Sequence, residues 1–326
     1  MVPLLLLMNA ATQRGRLAGL RRCLQTSLIV LGIAFLVPSA QAQTFVTNIT
    51  TTTYIDSWVI NQTNNYGHAH TVKVVIDGMG QGDPTKDGSI CRGLFQLPPQ
   101  LWTYSPGDIV SASVSFYVWQ DNTGTLNITL YPLTRSFVQG TGYGTYPPDG
   151  ATWFTYDGTN SWTNPGGDFD TNYSVIAVKG PILSDENDRF FYWDITALLQ
   201  SSTSRAELQN YGAMLRIDET PVPATGMPRA PFTSSYDPSY PPAYWPSLQV
   251  TIRLTVFNVA ISGGAISLGI SNLTDGVTNI IERSFDLTTN GWTAVTNIVA
   301  TSTSTNWSET IQPGWTKAFY RLHSQE

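Results

Sequence analysis

Two histidines one residue apart, His68 and His70, form the first pair in this chain whose spacing could hold a ligand. In an extended segment they share a face and could offer two imidazoles to a metal. No cysteine or carboxylate stands at ligand spacing to complete that set, so two solvent-facing histidines on an edge strand is the other reading. Loop carboxylates such as Asp56, Asp168 and Asp170 are oxygen donors of the type calcium takes. No cofactor is required by any motif, a structural calcium is open, and Asp168-Phe169-Asp170 reads equally as a solvated turn. Acid–base chemistry has few candidates. Glycoside hydrolysis generally needs two carboxyls about 5–9 Å apart, one with a raised pKa, and only Glu186, Glu207 and Glu219 are glutamates between residues 43 and 254. Asp218 and Glu219 are adjacent, so on a strand they point to opposite faces, and Asp185 to Asp188 reads as a solvated turn. There is no G-x-S-x-G elbow, P-loop, H-E-x-x-H or C-x-x-C. The expectation is a protein without catalytic residues; a glycan-cleaving enzyme is kept as an alternative.

Aromatic residues are the richer signal, at 12% of the chain with ten Trp, all beyond residue 43. Sugars present C–H faces that stack on flat rings, and polar donors beside the rings take the hydroxyls. In the run Val110 to Trp119 the small and aliphatic residues mark a core face, so Tyr117 and Trp119 project from the other one. The same logic directs Tyr131 outward, from what is expected to be the neighbouring strand. With Arg216, these three form a candidate glycan platform. Tyr143, Tyr146, Tyr236, Tyr240, Tyr244 and Trp245 sit in Pro/Gly-rich loops that could line a rim site, and Tyr244 and Trp245 join the candidate set. The alternative is that the long connection 134–174 folds over the platform and buries its rings as a second small core.

Period-2 patterns supply the elements that would hold these residues. Apolar and polar positions alternate through 110–119, through Leu126, Ile128 and Leu130, through Ala213, Leu215 and Ile217, and through Leu248, Val250 and Ile252. Strands of this kind put one face in a core, as in an antiparallel sandwich. Asp194 suits an N-cap for one helical turn, Ile195 to Gln200. The connections 134–174 and 219–246 are rich in Gly, Pro, Tyr and Trp, and loops so long are usually functional or self-packed. A boundary falls near 253–257, followed by short strands with turn signals at Ser262-Gly263-Gly264 and Asn290-Gly291. The predicted organisation is a leader over 1–42, a sandwich over 43–254 and a small β module over 255–326. The fold class is all-β: a jelly-roll-like antiparallel β-sandwich plus a small C-terminal β domain.

The leader is read from Arg14, Arg16, Arg21 and Arg22, the apolar run Ser27 to Val37, and the small-x-small site Ala40-Gln41-Ala42. Eleven apolar residues are too few to span a bilayer, so the segment predicts a secretory signal cleaved near Ala42 and a secreted or cell-surface protein. No membrane span is expected in the mature chain. Removing four Arg and no acid leaves 13 basic against 23 acidic residues, a field that repels nucleic acid and anionic lipid. Cys91 is then the sole cysteine, so no intrachain disulfide forms, and a buried small hydrophobe is its expected role.

The order of several motifs resembles a known family. Tyr54-Ile55-Asp56 precedes Asn65-Tyr66-Gly67; Gly93-Leu94-Phe95-Gln96-Leu97-Pro98 follows, then the strand Ile109 to Trp119. Ala151-Thr152-Trp153, Trp162-Thr163 and Pro165-Gly166-Gly167-Asp168-Phe169-Asp170 come next. Trp193-Asp194-Ile195-Thr196, Asn210-Tyr211-Gly212, Phe232-Thr233-Ser234-Ser235 and Pro246-Ser247-Leu248 complete the series. Residues 44–253 thereby resemble the disaggregatase-related (DNRLRE-type) β-sandwich domain, although Gln96 and Tyr236 stand where that pattern carries charged residues. Ile281 to Leu287, Gly291-Trp292 and Phe319 to Leu322 are similar to short C-terminal modules of secreted planctomycete- and verrucomicrobia-like bacterial proteins. Some members of the sandwich family are carbohydrate-binding modules of polysaccharide-degrading enzymes. The resemblance implies a polysaccharide or cell-surface glycan as partner. A structural subunit of an envelope, matrix or filament, self-associating through edge strands, is the alternative.

Overall fold

The computed structural model describes residues 32–33, 42–58, 61–77, 89–119, 127–183, 188–219, 229–286, 291–315 and 317–324. Most of the leader, and Leu126, Asp185 and Glu186, lie outside them. The strands in chain order are β1 (Gly32–Ile33), β2 (Ala42–Asn48), β3 (Thr52–Asp56), β4 (Thr71–Asp77), β5 (Ser89–Phe95), β6 (Ile109–Val118), β7 (Ile128–Pro132), β8 (Val175–Ile176), β9 (Val178–Ile182) and β10 (Arg189–Asp194). Two helices follow, α1 (Thr196–Gln200) and α2 (Ser202–Tyr211), then β11 (Ala213–Ile217), β12 (Arg229–Thr233) and β13 (Ser247–Arg253). The remaining strands are β14 (Thr255–Ser262), β15 (Ala265–Ser271), β16 (Thr278–Ser284), β17 (Thr293–Val299), β18 (Ser304–Thr310) and β19 (Lys317–Ser324). The chain forms two compact units, Thr44–Ile252 and a second comprising Arg253 onward with Gln43 and β1. No described helix is long and apolar enough to cross a membrane.

The larger unit is an antiparallel sandwich. One sheet runs β2-β13-β6-β10-β9 and the other β12-β4-β5-β11-β7-β8, with β3 on the free side of β5. The sheets join through the single pair Phe232–Val118. They join again where the chain passes from β8, paired with β7, to β9, paired with β10, across Ala177. Alternation along β6 does what period 2 demands: Ala112, Val114, Phe116 and Val118 enter the core while Ser111, Ser113 and Ser115 do not. Phe116 packs edge-on against Phe95, Trp193 and Phe232 at 5.3–5.9 Å between ring centroids. Trp193 also satisfies its indole N–H, donating to Ile128 O at 3.1 Å, so the largest core ring leaves no buried donor unpaired. Cys91 is buried and keeps its thiol outside any disulfide.

The outer face of the second sheet is covered. Ile55, Leu94, Leu133 and Met214 form a separate apolar cluster with Phe137, Ala151 and Trp162 of the segment 134–174. Asn65 fastens that segment. Its Nδ2 donates to Gln139 O (2.9 Å) and Ala151 O (3.2 Å), and its Oδ1 accepts from Gly67 and Gly142 N–H at 3.1 and 2.8 Å. Its backbone exchanges further bonds with Gly144 and Thr145. The contact is close enough that a Cβ at residue 67 would overlap the carbonyl oxygens of Gln139 and Gly140, which is why glycine stands there. At the other end of the domain Gly212, at φ 89°, ends α2 in a conformation that favours glycine. Asp194 accepts from Thr196 N–H at 3.0 Å, but it stands one residue before the cap: α1 starts at Thr196 with Ile195 as its N-cap and no side-chain cap bond, and α2 goes beyond the single turn expected.

The smaller unit holds two sheets, β14-β15-β18 and β1-β19-β16-β17, around Ile266, Leu268, Ile270, Ile281 and Tyr320. Arg283 pairs with Glu309, which also accepts from the Tyr320 hydroxyl at 2.9 Å.

Replacing Asn65 by Ala strands two backbone N–H groups and two carbonyls in a buried place. Each stranded group costs about 1–3 kcal/mol before relaxation. The expected loss in Asn65→Ala is roughly 3 kcal/mol or more by denaturant unfolding. A loss below about 1 kcal/mol, the size of a single net hydrogen bond, would show that this residue does not anchor the segment.

Candidate functional site

The residues expected to form one platform divide between the two sheets. Tyr117 and Trp119 belong to β6 and its end, whereas Tyr131 lies on β7, which pairs with β11 and β8 rather than with β6. The chain crosses to the opposite sheet between the two strands, so consecutive outward residues end on opposite outer faces. Tyr131 packs against Phe169 of the covering segment at 5.1 Å. Arg216 lies over Phe169 and Tyr131, at 4.9 and 5.7 Å from the ring centres. Both therefore support the covering loop, half-buried beside its apolar cluster and not within it. Trp153 and Phe169 complete this layer by flanking the Arg92 guanidinium, at 4.9 and 5.7 Å.

The charges beneath that loop are committed to one another. Glu219 accepts from Arg92 Nε and an Arg92 terminal nitrogen, both at 2.7 Å, and from Arg216 at 2.7 Å. Arg92 gives a third bond to Gly166 O at 2.6 Å. An open cleft of about 460 Å³ adjoins this group, walled in part by Phe169 and Asn164, with Arg92 and Asp168 in its lining. Asp168 accepts from Arg135 and from the backbone N–H groups of Thr163 and Asn164, at 2.9–3.0 Å. Burial acts to raise its pKa, but those donors together outweigh it and hold the carboxyl below its ordinary range. Asp56 receives Trp58 N–H and the Asn61 amide, and Asp170 receives Asn172 N–H and its amide. The three candidate calcium donors thus each organise a turn. Among the described residues no group of three or more His, Cys, Asp or Glu could hold a metal.

The outer face of the first sheet carries the open aromatic surface. Phe190 and Tyr192 on β10 pair with Tyr117 and Ser115 on β6, and they point away from the core that holds Phe191 and Trp193. Tyr240 and Tyr244, from the loop before β13, lean on Tyr117 at 5.4 and 4.6 Å. Tyr117 itself is buried beneath them rather than displayed, a correction to its expected role. Burial, and then the hydrogen bond to Asp188, push its phenol well above the ordinary value. Trp245 fixes the same loop by donating its indole N–H to Tyr240 O at 3.0 Å, and Thr233 ties it through Tyr244 O at 2.5 Å. Beside Tyr117 runs a strip of rings in which Tyr244 and Phe190 are half-buried and Tyr192 is exposed. Tyr244 and Phe190 are 6.2 Å apart and nearly parallel at 7°, and Phe190 and Tyr192 are 6.1 Å apart at 34°. Tyr192 is 39% exposed, beside the exposed Val178 on β9. Trp119 is 37% exposed and has no ring partner among the described residues.

Phe190 and Tyr192 are the members that sequence reasoning missed, whereas Tyr240 is among the rim candidates. In Arg189-Phe190-Phe191-Tyr192-Trp193-Asp194 both faces are aromatic, so hydropathy alternation says nothing about direction. The signal that could have found them is Trp193: once it is placed inward, Tyr192 must face out. His68 stacks on Tyr236 at 4.2 Å and His70 meets Tyr143 edge-on at 5.2 Å.

Comparison with known proteins adds no name: no protein-family model matches the chain, and no curated protein matches it.

One carboxyl pair remains. Burial first, then the neighbouring Asp170 as a charge and hydrogen-bond partner, raise the pKa of Glu207 on α2. A carboxyl with a raised folded pKa lends stability that is present below its unfolded value, about 4.3, and is lost as pH rises through the folded value. Unfolding midpoints measured from pH 4 upward should therefore decline less in Glu207→Gln than in the parent. Parallel curves would contradict the pairing.

Proposed function

We propose that this chain is an exported polysaccharide-binding protein that holds glycan on the aromatic outer face of its β2-β13-β6-β10-β9 sheet and does not cleave it. The observation that carries the reading is the strip Tyr244, Phe190 and Tyr192, two half-buried rings leading to an exposed one on a frame of paired strands. Exposed rings on a fixed frame lose little conformational entropy on binding, so their contact area goes into affinity. Ser113, Ser115, Gln249 and Thr251 share that sheet face and offer hydroxyl and amide groups to sugar hydroxyls. The net charge of −6 disfavours polyanionic glycans and favours neutral ones. The ordered motifs through 44–253 and the secretory pattern of residues 1–42 support the same placement, outside the cell or on its surface. Open sites of this kind bind weakly, and display in many copies supplies avidity.

Retention on neutral polysaccharides (cellulose, xylan, mannan, β-1,3-glucan) beside alginate and chondroitin sulfate tests the reading by affinity electrophoresis. The parent protein should be retarded by at least one neutral polymer. Tyr192→Ala should weaken that binding about tenfold, the size of one lost ring contact of about 1.4 kcal/mol. Equal retention of a folded Tyr192→Ala variant would sink the strip as the site.

A second reading rests on β14. Among the described residues this edge strand pairs only with β15; it contains no charged residue and exposes Val259 and Ile261. Uncharged apolar edges are templates for strand addition, so a self-assembling subunit is the alternative role. Sedimentation of the chain starting at Gln43 separates the two. A monomer at micromolar concentration supports the binder, and concentration-dependent oligomers abolished by Val259→Lys support the subunit.

A further inference from the structure

A second group of displayed rings lies where three loops meet. Tyr143 and Tyr146 are 61% and 74% exposed, and Tyr236 is exposed on the far side of His68. Large rings left in water by a folded chain are unusual enough to mark a surface that meets something. These are not loose. His68 N–H donates to Gly142 O at 2.9 Å and Ser234 N–H to His70 O at 3.0 Å. The Ser234 and Ser235 hydroxyls donate to Ala69 O and Thr50 O at 2.6 and 3.2 Å. Below them Tyr66 stacks on Tyr54 at 4.2 Å, and Asn65 holds 139–151 from within.

We propose that this loop end is a second polysaccharide-binding site, so that one chain holds two glycan strands and bridges them. The proposal rests on the glycan reading above and adds a second place of binding. The two ring groups are built on different sheets. Tyr117, Phe190 and Tyr192 belong to β6 and β10, whereas His68 and His70 lead into β4 and Tyr236 leaves β12, both strands of the other sheet. The occupant is again a neutral glycan. Ring faces are set beside imidazoles and hydroxyls, the usual partners of sugar C–H faces and hydroxyl groups. The carboxylates nearby are engaged, Asp149 accepting from Thr141 and Asp237 from Ser239 N–H, while Lys73 is exposed over Tyr54.

The test titrates the chain calorimetrically with a six-unit fragment of the neutral polysaccharide that retards it most. Light scattering then follows mixing with the intact soluble polymer, where bridging appears as turbidity. Two fragments should bind per parent chain. One fragment should bind at the parent's affinity to Tyr192→Ala, its sheet-face site being weakened about tenfold, and one to the double variant Tyr143→Ala/Tyr236→Ala, each checked for an unchanged melting temperature. Either change should abolish the turbidity while leaving retention measurable. One fragment per parent chain would overturn the proposal and leave the sheet-face site intact. So would an unaltered stoichiometry in the double variant, or a double variant that loses all binding because the rings form one continuous site. Absence of retention on every polymer would instead overturn the glycan reading, and this proposal with it.

Discussion

A fully buried asparagine side chain cannot rely on water, so every polar atom of Asn65 must find a partner in the protein. Apart from Gly67 N–H in its own turn it finds them in one stretch, bonding Gln139, Gly142 and Ala151 through its amide and Gly144 and Thr145 through its backbone. That one residue converts 134–174 from a long irregular connection into a wall of the domain. With the segment fixed, Trp162 and Phe137 become core residues of a second apolar layer, and Tyr143 is held at the surface against His70.

The two sheets meet the same requirement in different ways. Each buries its inner side chains against the other, and each is left with an outer face. On the sheet containing β5, β11 and β7 that face is covered by the loop and its charges are cancelled internally. Arg92, Arg216 and Glu219 form a triad whose members would be costly if any one were removed alone. On the sheet containing β6 and β10, no covering segment is seen among the described residues over Tyr192 and Val178. Rings that could have joined a core remain at the surface there. The functional reading follows from this asymmetry: one outer face is used to hold the protein together, and the other is available to a ligand.

Period 2 was legible in β6, β7, β11 and β13, which start or end within a few residues of the alternating runs, because each puts aliphatic side chains on one side only. The all-β class followed directly. Sheet membership was not legible. Tyr117 and Tyr131 both point outward, but nothing in their spacing reveals that the chain crosses from one sheet to the other between them. Nor could alternation rank the faces of β10, where Phe190 and Tyr192 are as apolar as Phe191. Burial of Tyr117 depends on Tyr240 and Tyr244 folding back more than a hundred residues later, a long-range contact that leaves no local pattern. Asp168 and Asp170 lie in loops as expected, whereas Asp56 closes strand β3 opposite Cys91. Whether a loop carboxylate binds a cation or caps its own backbone depends on which N–H groups the turn brings near, and here it brings enough for each.

Amide hydrogen exchange with and without a saturating neutral polysaccharide fragment tests most directly whether the uncovered sheet face is where ligand sits. Protection should concentrate in 189–194 and 240–246, with the cleft beside Arg92 and Phe169 unchanged. Protection confined to 163–171, or none anywhere in a sample shown to bind, would contradict the account.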